Sequence, residues 1–301
     1  MAAQTDVTLT RRQILKKIKK KTPFQEIAEQ FFRNRMAIVG LVIFGIIIFM
    51  TLAADLLADY QTRVVNINAG SRLLGPSLQH PFGTDEMGRD VFARVVHGAR
   101  MSLSMGAIAC GIALLIGGAL GAIAGYFGGL IDDIIMRVMD ILLCLPEILV
   151  AIAIVAALGT STENILLAIG ISRVARFARL VRSAVLSVSG MEYVEAARAI
   201  GARHHTIIIN HVLINCLAPI IVQGTIIFAS AILAISTLSF LGLGIQPPTP
   251  EWGNMLAAGR NHMRDYPHLV VAPGLAIFFT IFSLNMLGDG LRDALDPKFK
   301  Q

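Results

Sequence analysis

The chain has 301 residues, of which 55% are hydrophobic and only 15% charged, and its mean hydropathy is +0.68. Soluble domains carry about 45–50% apolar and about 25% charged residues, so a disordered chain and an ordinary cytosolic enzyme are both excluded. A net charge of +6 would suggest a nucleic-acid partner in a soluble protein, but in an apolar chain the location of the charge is what matters, and no nucleic-acid partner is expected. Cys110, Cys144 and Cys216 stand in apolar runs without C-x-x-C spacing, which points to neither a disulfide framework nor a metal site.

Residues 1–35 are polar and basic. Seven Lys and Arg residues fall between Arg11 and Lys21, and Thr22-Pro23-Phe24-Gln25 then has the pattern of an N-cap, a first-turn proline and a capping glutamine. Phe24, Ile27, Ala28, Phe31 and Phe32 follow at helical spacing. This predicts a helix lying on the inner leaflet, its basic flank attracted to anionic lipid. Met36–Ala54 is the first run of span length, 19 uncharged residues reaching about 28 Å as a helix. A signal peptide is not expected before it, because 35 polar and basic residues precede a run of full span length. The first span is placed at 36–57 and an outer loop at 58–100. In that loop His80 to Asp85 predicts a turn feeding a helix from Glu86 to Arg100, capped by Thr84 or Asp85.

Met101–Ile131 supplies the second span. In it Gly117, Gly121, Gly125 and Gly129 recur every fourth residue, the mark of close helix packing within the chain or to a second subunit. Ile141–Gly159 is the third, interrupted by Pro146-Glu147 and with its start placed nearer Ile134, and a fourth starts at Asn164 and runs into Arg173, Arg176, Arg179 and Arg182. Val212–Pro250 holds no charge over 39 residues and is divided into one span, Val212–Leu238, and an apolar loop. The second outer loop, Gln246–Gly253, carries three prolines and Trp252, the only tryptophan, a residue type that favours the membrane interface. Leu269–Gly288 is the last of six spans. With the N-terminus inside, 19 of the 26 Lys and Arg residues fall on the inner pieces (1–35, 127–140, 173–211 and 289–301), which places both termini in the cytoplasm.

Between spans four and five, Glu192 to Gly201 predicts a short helix of strong helix formers ended by glycine. It is too polar for lipid and too short to fold alone, and it suits a knob that docks in a partner's groove. Glu195-Ala196-Ala197-x-x-x-Gly201 resembles the EAA loop of permease subunits of bacterial ABC importers. Phe82-Gly83-Thr84-Asp85-x-x-Gly88-Arg89-Asp90-Val91, Pro247 to Gly253, and Gly288 to Pro297 are similar to the C-type subunit of dipeptide/oligopeptide importers. The chain departs from that pattern after the loop, where His211-Val212-Leu213-Ile214 lacks the family's proline and Pro219 is the nearest, leaving the start of span five open.

The resemblance implies an all-α, six-span inner-membrane protein of the type I importer fold, with a permease core at 101–290, a coupling helix at about 190–203 and a tail at 291–301. Its implied partners are a second homologous permease, two ATPase subunits and an extracytoplasmic binding protein, in contact with membrane lipid. ATP and Mg would be held by the ATPases and no cofactor by this chain. Glu195, Ala196, Ala197 and Gly201 would couple to the motor, with Gly201 also fitting a helix C-cap and the two alanines also fitting plain helix filler. The implied cargo is dipeptides or oligopeptides, with glutathione or nickel chelates as the alternative. The residues agree with this division of labour. No lysine follows a glycine, so there is no G-x-x-x-x-G-K phosphate loop, and H-E-x-x-H and G-x-S-x-G are absent.

Two features stand apart. Glu147 is the one carboxylate inside a span, a functional candidate by position. It faces the translocation path, meeting a peptide's amino end, or pairs with an arginine, or sits near the inner interface. The four arginines at every third residue have the pattern of a voltage sensor, the runner-up class. With only Asp140 and Glu147 as acidic partners upstream and no selectivity loop, they are instead assigned to headgroups and the partner ATPase, where span four passes the inner face.

Overall fold

A computed structural model of the protein describes residues 23–295. The basic run Arg11–Lys21, the Thr22 cap and Asp296-Pro297 lie outside the described residues. Among those residues the chain is helical, with no strand beyond an isolated bridge between Thr84 and Asp90.

Helix α1 (Pro23–Arg33) leads through Asn34 into α2 (Arg35–Leu52). The Asn34 side chain accepts from the backbone N–H groups of Met36 and Ala37 at 2.9 and 3.3 Å, and it donates to Asp293 at 2.9 Å. Entry to the first span is thereby capped and tied to the far end of the chain. Phe31 and Ala37 lie against Gly290, and Gly40 lies against Met286, so α2 crosses the last helix where small residues let the backbones approach.

The outer loop does not form the predicted helix from Glu86. Asp85 Oδ1 accepts from the N–H groups of Met87 and Arg89, both at 2.9 Å, and Gly88 takes a φ of +77°, closing a turn in which the 84–90 segment folds back on itself. Thr84 is occupied elsewhere, accepting from Leu74 N–H and donating to the Ser71 carbonyl. The helix begins at Val91, capped by Asp90, and runs without a break to Phe127 as α3. Its 37 residues reach about 55 Å, so the outer helix and the second span are one rod.

Against α3 lies α6 (Thr162–Ser189), and their contact is made by the predicted glycine ridge. A Cβ at Gly117, Gly121 or Gly125 would come within 2.7, 2.3 and 2.8 Å of the carbonyl oxygens of Val174, Ala178 and Arg182. Gly129 is not part of this contact. With Gly128 it supplies the positive-φ turn into α4 (Gly129–Leu143). A break at residues 144–146 separates α4 from α5 (Glu147–Leu158), and the two axes meet at 89°; proline at 146 cannot continue the first helix and instead precedes the first residue of the next.

Beyond the short helix α7 (Glu192–Ala199), the segment lacking the family's proline winds irregularly. A single α turn (His204–Ile207), a π turn (Ile208–Val212) and a 3-10 turn (Leu213–Cys216) precede α8 (Leu217–Phe240). Trp252, assigned from sequence to the membrane interface, is instead 1% exposed and donates its indole N–H to the Val95 carbonyl at 2.9 Å. It opens helix α9 (Trp252–Gly259), capped by the fully buried Glu251, which accepts from Gly253 and Asn254 N–H at 2.9 and 2.8 Å. Helix α10 (His268–Leu295) closes the described chain.

Among the described residues, α2, α3, the 204–240 stretch and α10 are long and apolar enough to cross a membrane, and the bent α4–α5 pair adds a fifth crossing if it counts as one. Helix α6, of 28 residues, is long enough but carries the four arginines. Gly121→Val is expected to push α3 and α6 apart, costing on the order of 2–3 kcal/mol. Gly111→Val, where a Cβ meets nothing within 4 Å, is expected to stay within about 0.5 kcal/mol. Melting temperatures of the two solubilised variants check the contrast.

Candidate functional site

Helix α7 has one face on the chain and one face free. Val194 and Ala197 are buried in a cluster with Val185, Val188 and Ile207. Glu192, Tyr193, Glu195, Ala196, Arg198 and Ala199 are exposed, and Ile200 at the tip is 85% exposed. Glu192 and Glu195 stand in the first turn, where a carboxylate suits the positive helix end. At the other end Gly201 has a φ of +79°; its N–H bonds the Arg198 carbonyl, and Ala202 N–H bonds the Ala197 carbonyl. This is a Schellman closure, and it makes Gly201 a conformational requirement. Space is not the reason, since a Cβ there would meet nothing.

Helix α7 is latched to the C-terminal end of α3. The Arg198 guanidinium lies 4.7 Å over the Tyr126 ring, and the Tyr126 hydroxyl is 2.9 Å from His204 Nδ1. The predicted set therefore divides. Glu195 and Ala196 face outward, Ala197 packs inward, and Gly201 ends the helix. Tyr126 and His204 were not legible as partners, being 78 residues apart.

The arginine stripe, expected to face headgroups and an ATPase, also has partners within the chain. Each arginine has a carboxylate of the chain itself. Arg182 Nε and Nη2 each stand 2.5 Å from an oxygen of Asp132 in a two-point contact, Arg179 binds Asp140, and Arg176 Nη2 is 2.9 Å from Glu147 Oε1. The buried Arg173 bonds the carbonyls of Ile169 and Ser230, at 3.1 and 2.9 Å, and lies 4.0 Å from Glu147. Of the three readings of Glu147, these contacts show the pairing with arginine. Asp132 is a third acid, beyond the two counted from the sequence.

This ladder borders a cavity of about 920 Å³ between α6 and the start of α8. On the opposite side, Arg94 ties the outer loops together. Its guanidinium donates to the carbonyls of Val64 at 3.0 Å and Pro248 at 3.4 Å and lies 3.7 Å from Asp85. Asp90, besides capping α3, sits 3.0 Å from His80 and 3.8 Å from Arg63. Asp59 accepts from both the N–H and the hydroxyl of Thr62, which holds its carboxyl below the usual carboxylate range. The outer sequence motifs thus build a cross-braced cap over the bundle.

With this geometry in place, the comparisons are specific. The family model described as the binding-protein-dependent transport system inner membrane component matches residues 117–301, the part holding the glycine ridge, the arginine ladder and α7. The chain belongs to this family of inner-membrane transport permeases. A second family, the N-terminal TM domain of oligopeptide transport permease C, matches residues 22–76. This permease is 49% identical to a dipeptide transport system permease protein of Alkalihalophilus pseudofirmus, over 93% of the chain and 91% of that protein. It is 44% identical to a di/tripeptide transport system permease protein of Pseudomonas aeruginosa, over 93% of each. It is 43% identical to a glutathione transport system permease protein of Escherichia coli O157:H7, over 93% of the chain and 92% of that protein. Family membership removes the voltage-sensing alternative.

The ladder's rungs differ in environment, and the permease should respond accordingly. Asp132 is 8% exposed, whereas the Asp140 side chain is more than half exposed. Asp132→Asn is expected to destabilise by roughly 1–3 kcal/mol, between the values for breaking exposed and buried pairs. Asp140→Asn is expected to cost under about 1 kcal/mol. Thermal unfolding of the two variants in the same detergent tests the order.

Proposed function

We propose that this permease is one of two membrane subunits of an ATP-driven importer for dipeptides and short oligopeptides, supplying half of the translocation path. The observation that carries the reading is α7: a helix latched by its inner face, with Glu195, Ala196 and Ile200 free, at a turn between two membrane helices. An exposed helix of eight residues presenting both an acidic first turn and an apolar tip suits a groove on another protein. In this reading the groove belongs to an ATPase subunit, ATP and Mg are bound there, and this chain contributes force transmission and passage. Peptide cargo is supported by the dipeptide and di/tripeptide relatives, with glutathione the second candidate through the relative named for it.

In the same reading α6 is the remaining span. Its four arginines are tolerable in a bilayer because three acids and two carbonyls meet them, as intramembrane charges require. That makes six crossings in the type I arrangement and puts both termini on the inner side, the side richer in lysine and arginine. A second permease completes the path, and an extracytoplasmic binding protein delivers cargo to the braced outer cap.

The test is the importer purified with its companions, carrying Glu195→Arg together with Gly201→Asp. Glu195 is exposed, and Gly201→Asp strains only the closure of α7 at its positive φ, so the bundle is expected to persist. The second permease should still co-purify, while the ATPase subunits are lost or their cargo-stimulated hydrolysis is abolished along with dipeptide uptake. Retained ATPases with intact uptake would refute the coupling role.

A further inference from the structure

The 920 Å³ cavity differs from the apolar groove at the other side of the bundle. That groove, about 460 Å³, is walled by residues such as Ile43, Ile47, Val271 and Leu275, whereas this cavity is lined in part by Arg176, Arg179, Ser183, Ser187, Asn215 and Gln223. A second cavity of about 430 Å³ shares Leu180, Pro219, Gln223 and Leu295 with it and adds Arg292. The two form one vestibule whose lining, among the described residues, holds three guanidinium groups and no carboxylate.

Arg176 and Arg179 are neighbours on one helix face, at i and i+3. Their side chains are 61% and 56% exposed although each holds an acid, Glu147 or Asp140. A guanidinium has five N–H donors in a planar fork, so after one nitrogen is engaged the others remain for a second acceptor with two oxygens in a plane. The volume is in the range of small-molecule sites, about 300–1,000 Å³. Between the polar groups the walls are aliphatic (Leu180, Ala184, Ala218), which accommodates variable side chains without selecting among them. Ser187 and Val188, at the end of α6 beside α7, belong to the same lining, so the vestibule adjoins that helix.

We infer that this vestibule holds a short peptide in passage by its free carboxylate, with Arg176 and Arg179 as the binding pair and Asn215 and Gln223 as amide partners for its peptide bond. The inference rests on the importer reading and names the part of the cargo that the path recognises. Glu147 and Asp140 compete with the cargo for the same guanidinium groups. That competition keeps the hold weak, as a site must be if cargo is to leave it. A cargo with a blocked carboxylate would pass without being held.

The experiment uses the assembled importer in inside-out vesicles, with Ser183→Cys as a reporter in the exposed part of the lining and Cys144→Ser to remove the exposed native thiol. Modification of residue 183 by a thiol reagent is timed with no addition, with dialanine, with dialanine amide, and with inorganic phosphate. Dialanine at about twice a millimolar Kd should slow the reaction about threefold, and the amide and phosphate should leave it unchanged. Arg176→Gln with Arg179→Gln should abolish the protection, and the paired lysine variants should retain part of it. Equal protection by dialanine and its amide, protection by phosphate as well, or no protection by any of them would overturn the inference. So would a reporter that reacts in the isolated permease and not in the assembled importer, since the cavity would then be filled by another subunit. Binding-protein-dependent dipeptide uptake by right-side-out vesicles of the same preparation is measured alongside. If uptake is absent in the wild-type importer, the importer reading has failed; if it is present and protection is absent, only the carboxylate site has.

Discussion

The packing of α3 against α6 along the glycine ridge governs most of what surrounds it. Three glycines on α3 meet carbonyl oxygens on α6 at distances that leave no room for a methyl group. In lipid there is little hydrophobic force between helices, so packing of this kind supplies the cohesion. It also fixes the rotation of α6, because Val174, Ala178 and Arg182 turn their carbonyls to the ridge. Once that rotation is set, Arg173, Arg176, Arg179 and Arg182 have a defined direction, and the α4–α5 pair must come to them carrying acids. Helix α7 then rests on the C-terminal ends of the same two rods, between Tyr126 of α3 and Val185 and Val188 of α6.

The charges follow a consistent rule. A guanidinium inside a membrane protein is retained only with partners, and every member of the stripe has one. At the outer side the same economy appears with reversed roles, where Asp85 and Asp90 shape turns and Arg94 joins two loops through their carbonyls. Glu251 shows how far a carboxylate can be buried when backbone N–H groups at a helix start receive it. These polar clusters pin the ends of rods whose middles are held by apolar contact.

How much of this was legible depended on the range of the interaction. The glycine period, the limits of α7 and its glycine closure are local patterns, and they match the structure within a residue or two. Gly129 failed because a fourfold repeat continues past the helix that gives it meaning. The outer helix failed because Thr84, Asp85 and Asp90 are all good caps, and only the fold-back of the loop onto Leu74 and Ser71 shows that the first two are engaged elsewhere. Trp252 was placed by a composition rule that holds for lipid-facing tryptophans, while this one fills the space beside Gly98 and Val95. Asp132 stands just before Ile134, where the third span is started, and nothing local marks a partner that lies 50 residues on. The vestibule, made from α6 and α8, has no signature in either segment alone.

The right-angled elbow between α4 and α5 is riveted to a single neighbour on both of its arms: Asp132 and Asp140 before the corner, Glu147 after it, all to α6. Ion pairs on both sides of the corner couple any displacement of α6 to both α4 and α5 for as long as they hold, whereas the segment without the family's proline changes winding three times before α8 begins.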